Sequence, residues 1–470
     1  MSTLGYLSRV RTVMRALGLA RGRTRRQRWT RDQLLAFQRQ RLGELVEHAT
    51  RGSAFYRRLY GGKVGAGEVE LSRLPVVTKA AMMSSFDEVV TDPRLTTEGV
   101  DAHTGGPTCD ALHLGEYRLI STSGSTGLRG VFAFSRQEWL DVVGTLFTVA
   151  EIAAARPTLP RQRVVSISAP GAKHISYQML ASADIGLYRV VRLPATLPLD
   201  ELVAAVGRHA PNQMTAYPSV ASMLAQEQLA GRLRIAPRIV NTFGEVRTDE
   251  MTGHIRAAWG VEPFNGYAIT EGGGAVGQDC EAHAGMHVLE DSVILESVDA
   301  ANRPVAPGTV GSKLLLTNLW LRTQPLIRYE VSDLIAFDER PCACGRTTKR
   351  IVAIDGRSDD ILELPAQNGA SVAVHPIHLR SPLGALPDVA QYQIVQEGRA
   401  LAVAIVPRRD APVNGLAGTV KRTLETALRN AGTAGVTVEV RVVDELLRGA
   451  GGKLKLVERR RSVPTANPPG

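Results

Sequence analysis

Residues 31–60, RDQLLAFQRQRLGELVEHATRGSAFYRRLY, carry apolar side chains at helical spacing and predict a long amphipathic helix broken near Gly52. LSRLPVVTKAAMMSSFDEVV reads as a turn and a short helix, and residues 99–117 as a loop-rich stretch. YRLI then reads as a strand leading into a run of Ser, Thr and Gly, and GVFAFS alternates as a second strand. RQEWLDVVGTLFTVAEIAAA is a strong helical pattern. Beyond it, strands (RVVSISAP, YRVVRLP, QMTAYPS, PRIVNTFGE, VEPFNGYA) alternate with helices (ISYQMLASADIG, PLDELVAAVGRHA, VASMLAQEQLA, TDEMTGHIRAAW). Units of that length predict a largely parallel sheet covered by helices. From about residue 286 the pattern turns short and mostly β, as in MHVLEDSVILESVD, VGSKLLLTNL and LIRYEVSDLIAF. Residues 361–457 mix strands (YQIVQEGRALAVAIVP, VTVEVRVVD) with one helix, GLAGTVKRTLETALRNA. The expected fold is α/β: a large N-terminal region, 1–356, with parallel sheets and a β-rich subdomain, then a small α+β domain, 357–460. The Pro-rich tail, 461–470, reads as disordered.

Composition narrows the class. At 470 residues, 44% hydrophobic and 22% charged, the chain has the balance of a globular protein with more than one domain. No apolar run approaches the roughly 18–20 residues of a membrane span. The first thirty residues hold many Arg, no acid before Asp32 and no long apolar segment, so they do not read as a secretory signal. They read as a basic surface arm or an amphipathic first helix, with an anionic-surface or nucleic-acid contact as the alternative. The net charge of +10 comes with no recognisable nucleic-acid module, and it suits an enzyme that handles polyanionic nucleotides. Three of the four Cys lie close to one another or to His, which favours a reduced, cytoplasmic chain with a metal site over disulfides.

The run STSGSTG, residues 121–127, sits between two predicted strands, which sets it apart from an interdomain linker. Glycines let backbone N–H groups converge on an anion, and Ser and Thr add hydroxyl donors, a chemistry that suits nucleotide phosphates. It is not a P-loop, because no Gly-Lys-Ser/Thr ending and no helix follow. GGGAVG, residues 272–277, matches G-x-G-x-x-G but lacks a strand–turn–helix context.

This loop resembles the phosphate loop of the adenylate-forming superfamily of acyl-CoA synthetases, adenylation domains and luciferases. NGYAITE (265–271), IRYEVSDL (327–334), GRSDDIL (356–362) and GGKLKLV (451–457) are similar to further motifs of that family, in the family's order. HATRGSAFYRR, PLIRYEVSDL and CACGRTTKRI most resemble the phenylacetate–CoA ligase branch. The resemblance implies ATP-dependent activation of a small-molecule carboxylic acid, with an aromatic acid favoured, to an acyl-adenylate, then transfer to CoA. It implies that Ser123, Gly124, Ser125, Thr126 and Gly127 hold pyrophosphate, and that Gly244 and Glu245 lie along the adenine. Tyr267 would pack beside that base, Thr270 would touch the α-phosphate, and Glu271 would hold Mg²⁺. Asp333 would accept the ribose hydroxyls, Arg357 would fix the nucleotide, and Lys453 would bridge the substrate carboxylate and the α-phosphate. The small domain would be mobile and pivot at Asp359.

The acid pocket is expected among residues 169–178, 215–219 and the segment after Tyr267, with His174, Tyr217, Gly272 and Gly273 as its named members. The chain departs from the family pattern in two places. LRG follows the phosphate loop in place of a Pro-Lys-like pair, so Arg129 would stand in for the mobile cation; and ELPAQNGASVAVHP replaces the Arg/Lys-Gly pair that follows the hinge on the acceptor side. An amine, a carrier-protein thiol or an unusual nitrogen acid in place of CoA is therefore the first rival, and a non-catalytic nucleotide-binding protein the second. Separately, CEAHAGMH and CAC offer Cys280, Cys342, Cys344 and either His287 or His283, a tetrahedral zinc set, with His287 preferred because it begins a strand. With four ligands from protein, that ion would be structural. No nucleic-acid partner is expected, and oligomeric state is left open.

Overall fold

A computed structural model describes residues 3–61, 69–105, 111–122, 130–155, 160–169, 171, 174–357, 360–366, 370–374, 376–384, 386, 388–408, 411–449 and 454–460. The chain divides into two compact units, residues 1–354 and 355–470. The expected disordered tail, 461–470, lies outside the described residues.

The arginine-rich start is a helix, Thr3–Arg26, built into the fold. Its small apolar face (Val13, Ala16, Ala20) is buried. Arg23 reaches Asp141 on the helix Arg136–Ile152 at 2.8 Å and is itself 3% exposed. Thr30 and Gln33 form a capping box that starts the next helix, Arg31–Gly52. Ser53 ends that helix and begins Ala54–Tyr60: its N–H bonds to Ala49 O, and its hydroxyl accepts from Tyr56 N. The break predicted near Gly52 is thus made by the residue beside it. The stretch expected to be loop-rich starts with a helix, Thr97–Gly105, whose first N–H is taken by Asp87 Oδ1. That capping carboxylate comes from ten residues upstream, where no local pattern announces it.

Strands β1 (Arg118–Thr122) and β2 (Gly130–Phe134) form an antiparallel hairpin in which Thr122 pairs with Gly130. Then come β3 (Arg163–Ser168), β4 (Arg189–Pro194), β5 (Gln213–Ala216), β6 (Ile239–Phe243) and β7 (Phe264–Ile269). They are parallel, lie in the order β4-β3-β5-β6-β7, and are joined by helices Ile175–Ala183, Leu199–His209, Pro218–Leu229 and Asp249–Trp259. Crossovers from β3 run to one side and those from β5 to the other, so the switch point of this doubly wound sheet lies between β3 and β5. Buried residues such as Val165, Ile167, Met214 and Val240 explain the near-continuous apolar strand runs.

The sheet continues antiparallel through β8 (Gly274–Asp279) and β9 (Met286–Val288). A second, three-stranded sheet holds β10 (Val293–Val298), β11 (Lys313–Asn318) and β12 (Tyr329–Val331). β13 (Asp333–Asp338) and β14 (Arg350–Arg357) complete the nine-stranded sheet beyond β9. MHVLEDSVILESVD is therefore two strands in two sheets, parted by a turn in which Ser292 N and Val293 N both bond to Leu289 O. LIRYEVSDLIAF likewise divides at Ser332. A period-2 pattern continues through such a change of sheet and cannot reveal it.

The second unit holds a hairpin of β15 (Leu362–Pro365) and β16 (Ser371–Val374). Its larger sheet holds β17 (Val389–Glu397), β18 (Ala400–Pro407), β19 (Thr437–Val442) and β20 (Val457–Arg460), in the order β19-β18-β17-β20. Leu416, Val420, Leu424 and Leu428, four residues apart on the helix Leu416–Asn430, form its buried stripe. Among the described residues no helix is long and apolar enough to cross a membrane.

Candidate active site

The carboxyl ends of parallel strands are where open α/β sheets bind ligands, because loops there leave the sheet on opposite faces. Most of the expected nucleotide and acid residues that are described follow β3, β5, β6 or β7 directly. At the switch point Ala169 N–H donates to the Tyr217 hydroxyl at 3.0 Å. Tyr217 is buried, its ring lies 5.5 Å from that of Phe243, and burial above all pushes its hydroxyl up to about 12. After β6, Gly244 turns the chain with φ +79, a left-handed conformation that suits glycine. Glu245 Oε2 then accepts from Ser219 N at 3.2 Å, capping the helix that Tyr217 begins. His174 begins the helix Ile175–Ala183 and is half-buried.

β7 carries the densest group. Tyr267 and Asp333 are both buried, and the Tyr267 hydroxyl donates to Asp333 Oδ2 at 2.7 Å. The hairpin from β7 to β8 holds Thr270 and Glu271, both half-buried; Thr270 O accepts from Gly273 N, and Glu271 O from Asn318 Nδ2 at 3.2 Å. Asn318 ends β11, and Tyr329 on the neighbouring β12 pairs with Leu316. Among the described residues the buried Tyr329 hydroxyl has no hydrogen-bond partner; burial raises its pKa well above the ordinary value, and Glu271 adds to the rise. Tyr329 and Asn318 were not singled out from the sequence, since each reads there as ordinary strand packing.

Gly272 and Gly273 have a packing reason. A Cβ at Gly272 would lie 2.2 Å from Val276 Cγ1, and one at Gly273 would lie 2.5 Å from the Trp320 ring, at φ +79. The space beside these two glycines is filled by this chain's own side chains. Arg357 ends β14 in the second unit. Ser123, Gly124, Ser125, Thr126 and Gly127, with Asp359 and Lys453, lie outside the described residues.

The second constellation is complete. The ligating atoms of Cys280, His287, Cys342 and Cys344 all lie within 4.8 Å of one another. Zn–S bonds of about 2.3 Å in a tetrahedron set sulfur–sulfur edges near 3.8 Å. Cys280 Sγ and Cys342 Sγ are 3.8 Å apart, and Cys344 Sγ is 3.3 Å from His287 Nε2. His287 Nδ1 meets Thr348 Oγ1 at 3.0 Å, so the tautomer protonated there leaves the Nε2 lone pair toward the cluster. Burial, then Arg346 and Arg350, push the imidazole down to about 4, keeping it neutral. Burial pushes the Cys280 thiol up to about 12. At Cys344 burial also raises the thiol, but hydrogen bonds involving Arg346 and the other two thiols outweigh it and the net shift is downward. The donor set fits a thiophilic divalent ion. His283, the other candidate, instead meets Asp279 Oδ2 through Nδ1 at 2.9 Å.

No family model matches the chain. It is 27% identical over 393 residues to a phenylacetate-coenzyme A ligase of Thermus thermophilus, covering 78% of each protein. To the Escherichia coli phenylacetate-coenzyme A ligase it is 26% identical over 364 residues, 72% of this chain and 74% of the relative. Among solved structures, a 2-hydroxyisobutyryl-CoA ligase in its postadenylation state matches with a TM-score of 0.70 at 20% identity, over 92% of this chain and 90% of that one. By sequence the chain is similar to phenylacetate-coenzyme A ligases, and its fold is similar to that of a 2-hydroxyisobutyryl-CoA ligase.

Proposed function

We propose that the protein is an ATP-dependent, AMP-forming acid–CoA ligase, with aromatic carboxylic acids as its preferred class. The observation that carries this is the buried Tyr267–Asp333 hydrogen bond on the strand whose end presents Thr270 and Glu271, beside the carboxyl edge of the parallel sheet. A carboxylate oxygen of the acid attacks the α-phosphorus of ATP. The bond to pyrophosphate breaks, and pyrophosphate leaves with the electron pair. Its charge falls to Ser123, Gly124, Ser125, Thr126 and Gly127, which lie in the sequence between the paired residues Thr122 and Gly130. Tyr267, Gly244 and Glu245 flank the adenine, Asp333 accepts the ribose hydroxyls, Arg357 fixes the nucleotide, and Thr270 meets the α-phosphate. Lys453 bridges the two reacting anions. Glu271 would hold Mg²⁺, which supplies charge neutralisation at the phosphates. In the second half-reaction the thiol of CoA gives up its proton, its sulfur bonds to the acyl carbon, and the bond to AMP breaks. The acid is assigned to the switch point, beside Tyr217 and His174; Gly272 and Gly273, packed against Val276 and Trp320, offer it no side-chain space.

We assign residues 357–460 as the domain that delivers Lys453 and pivots at Asp359. A structural Zn²⁺ is assigned to Cys280, His287, Cys342 and Cys344, and the reaction to the cytoplasm, where ATP, CoA and reduced thiols coexist. The test is ATP–pyrophosphate exchange across a panel of aromatic and short aliphatic acids, with mass spectrometry of products formed with CoA, amines or neither. Acid-dependent exchange and a CoA thioester are expected. An amide product would replace the acceptor, and absence of exchange with every acid would leave only nucleotide binding.

A further inference from the structure

Both chain segments that carry the metal-ligating side chains also receive the amino-terminal helices. Segment 341–349 contains no helix or strand. Its cysteines face the cluster, while the residues just after them bond to the junction between the first two helices. Arg346 Nε donates to Gln27 Oε1 at 2.9 Å, Thr347 N to Gln27 O at 3.0 Å, and Thr347 Oγ1 to Trp29 O. The other ligand-bearing segment continues from His287 into Glu290 and Asp291, which are buried. Glu290 Oε2 accepts from Arg31 Nη1 at 2.7 Å and from Lys349 N at 2.9 Å, and Glu290 O accepts from Gln38 Nε2 at 2.7 Å. Asp291 Oδ2 takes Arg26 Nε at 2.8 Å.

The two ligand-bearing turns are alike. His283 N bonds to Cys280 O with φ +46 at His283, and Gly345 N bonds to Cys342 O with φ +77 at Gly345. Each is a tight turn that aims a sulfur at the same point. They lie 62 residues apart in the chain. The two segments are joined beyond the cluster by the β9–β14 pairing, by Val288 N to Lys349 O at 2.9 Å and by Arg350 Nη1 to Ala284 O at 2.6 Å, whereas between the cysteines themselves thiol–thiol contacts are only weak hydrogen bonds. An ion bonded to all four would tie them covalently, and binding free energy of that kind becomes folding free energy of whatever depends on the tied segments. A surface cleft of about 630 Å³, lined by Arg28, Glu151, Glu281, Cys344 and Arg346 among others, gives an ion or a chelator access to the cluster.

We propose that the ion held by Cys280, His287, Cys342 and Cys344 is the clamp that seats the amino-terminal helices, so that loading the metal and docking residues 3–38 are one event; this rests on the zinc assignment above. The clamp would set more than its own loop. The docked helix Thr3–Arg26 packs on Arg136–Ile152, whose Glu138 fixes the turn at Arg322 and Thr323.

The segment RGRTRRQRWTR, residues 21–31, is dense in arginine, so trypsin reports directly on its docking. The full-length protein is analysed for zinc by mass spectrometry, then digested with trypsin before chelation, after it, and after zinc is restored. One zinc per chain is expected, and removing it should speed cleavage within 21–31 by about tenfold or more, reversibly, while cleavage within 411–449 keeps its rate. Gln27→Ala, which removes a docking contact and no ligand, should speed the same cleavage with zinc retained; Cys342→Ser should lose the zinc. Because chelation acts on the wild-type chain, a variant that fails to fold does not remove the test. Protein purified without zinc that does not take it up would overturn the metal assignment and the clamp together. Zinc that is bound and removable with no change in cleavage at 21–31 would overturn the clamp alone.

Discussion

At the residue scale the sharpest question is what Asp333 is held for. Its carboxylate is buried and receives the Tyr267 hydroxyl at 2.7 Å. A carboxylate can accept several hydrogen bonds, so this one leaves capacity for a vicinal diol. Tyr267→Phe removes the donor and leaves the carboxylate less well satisfied, a change worth about 1–3 kcal/mol. If Asp333 takes the ribose, that cost appears in nucleotide binding: KM for ATP in pyrophosphate exchange should rise roughly 5- to 100-fold, with kcat changed much less. A KM for ATP that stays at the wild-type value in a folded Tyr267→Phe protein would remove Asp333 from the ribose. That Cys280, His287, Cys342 and Cys344 come together was legible at this scale because cysteines are few in the chain and three of the four lie close to one another or to His. Thr348, which orients His287, was not, because a threonine in a loop carries no mark of the imidazole it meets from 61 residues away.

At the element scale, Glu138 shows how the hairpin of β1 and β2 is kept in place. The helix beginning at Arg136 is capped by Ser135, and Glu138 Oε2 answers with Ser135 N at 2.7 Å. The same oxygen takes Thr323 Oγ1 at 2.6 Å, while Oε1 takes Arg322 N at 2.6 Å and Thr323 N at 2.8 Å. The next residue, Gln324, bonds to Ala133 N and Val131 O of β2. In Glu138→Gln an amide nitrogen must face donors, so buried N–H or O–H groups lose an acceptor at about 1–3 kcal/mol each. The expected result is a melting midpoint a few degrees lower by calorimetry, with circular dichroism unchanged at the starting temperature. An unchanged midpoint would mean that the turn at 322–324 is held by other contacts. The helix and both hairpin strands were legible from periodicity, as were the parallel strands, because those signals are local. The turn at 322–324 was not, since its partner lies 185 residues away and polar loop residues have no period. The changes of sheet after Val288 and Val331 escaped for a related reason: alternation records which faces are buried and not which sheet buries them.

At the scale of the whole molecule, the proposed reaction asks two different things of the chain. Making the adenylate brings two anions together, and Lys453, in residues 355–470, is assigned to bridge them. Making the thioester starts from a neutral acyl carbon and a sulfur nucleophile, and no bridge between anions is needed. If one lysine serves one half-reaction, its loss should separate them. Lys453→Ala should lower acid-dependent pyrophosphate exchange by about 10²–10³-fold, the scale of removing one preorganised charge contact from a transition state. ATP should still bind, because the adenine and ribose contacts assigned to Tyr267 and Asp333 lie in the other unit. Supplied with a synthetic acyl-adenylate and CoA, the same variant should still form most of the thioester. Lys455, close by in sequence and 3.7 Å from Asp360, is the internal control: Lys455→Ala should leave exchange within a few-fold of wild type. If Lys455→Ala proves the crippled variant, the bridging role passes to that lysine. If Lys453→Ala loses both half-reactions in equal measure, the residue serves the fold or both steps, and the division of labour proposed for the small domain fails.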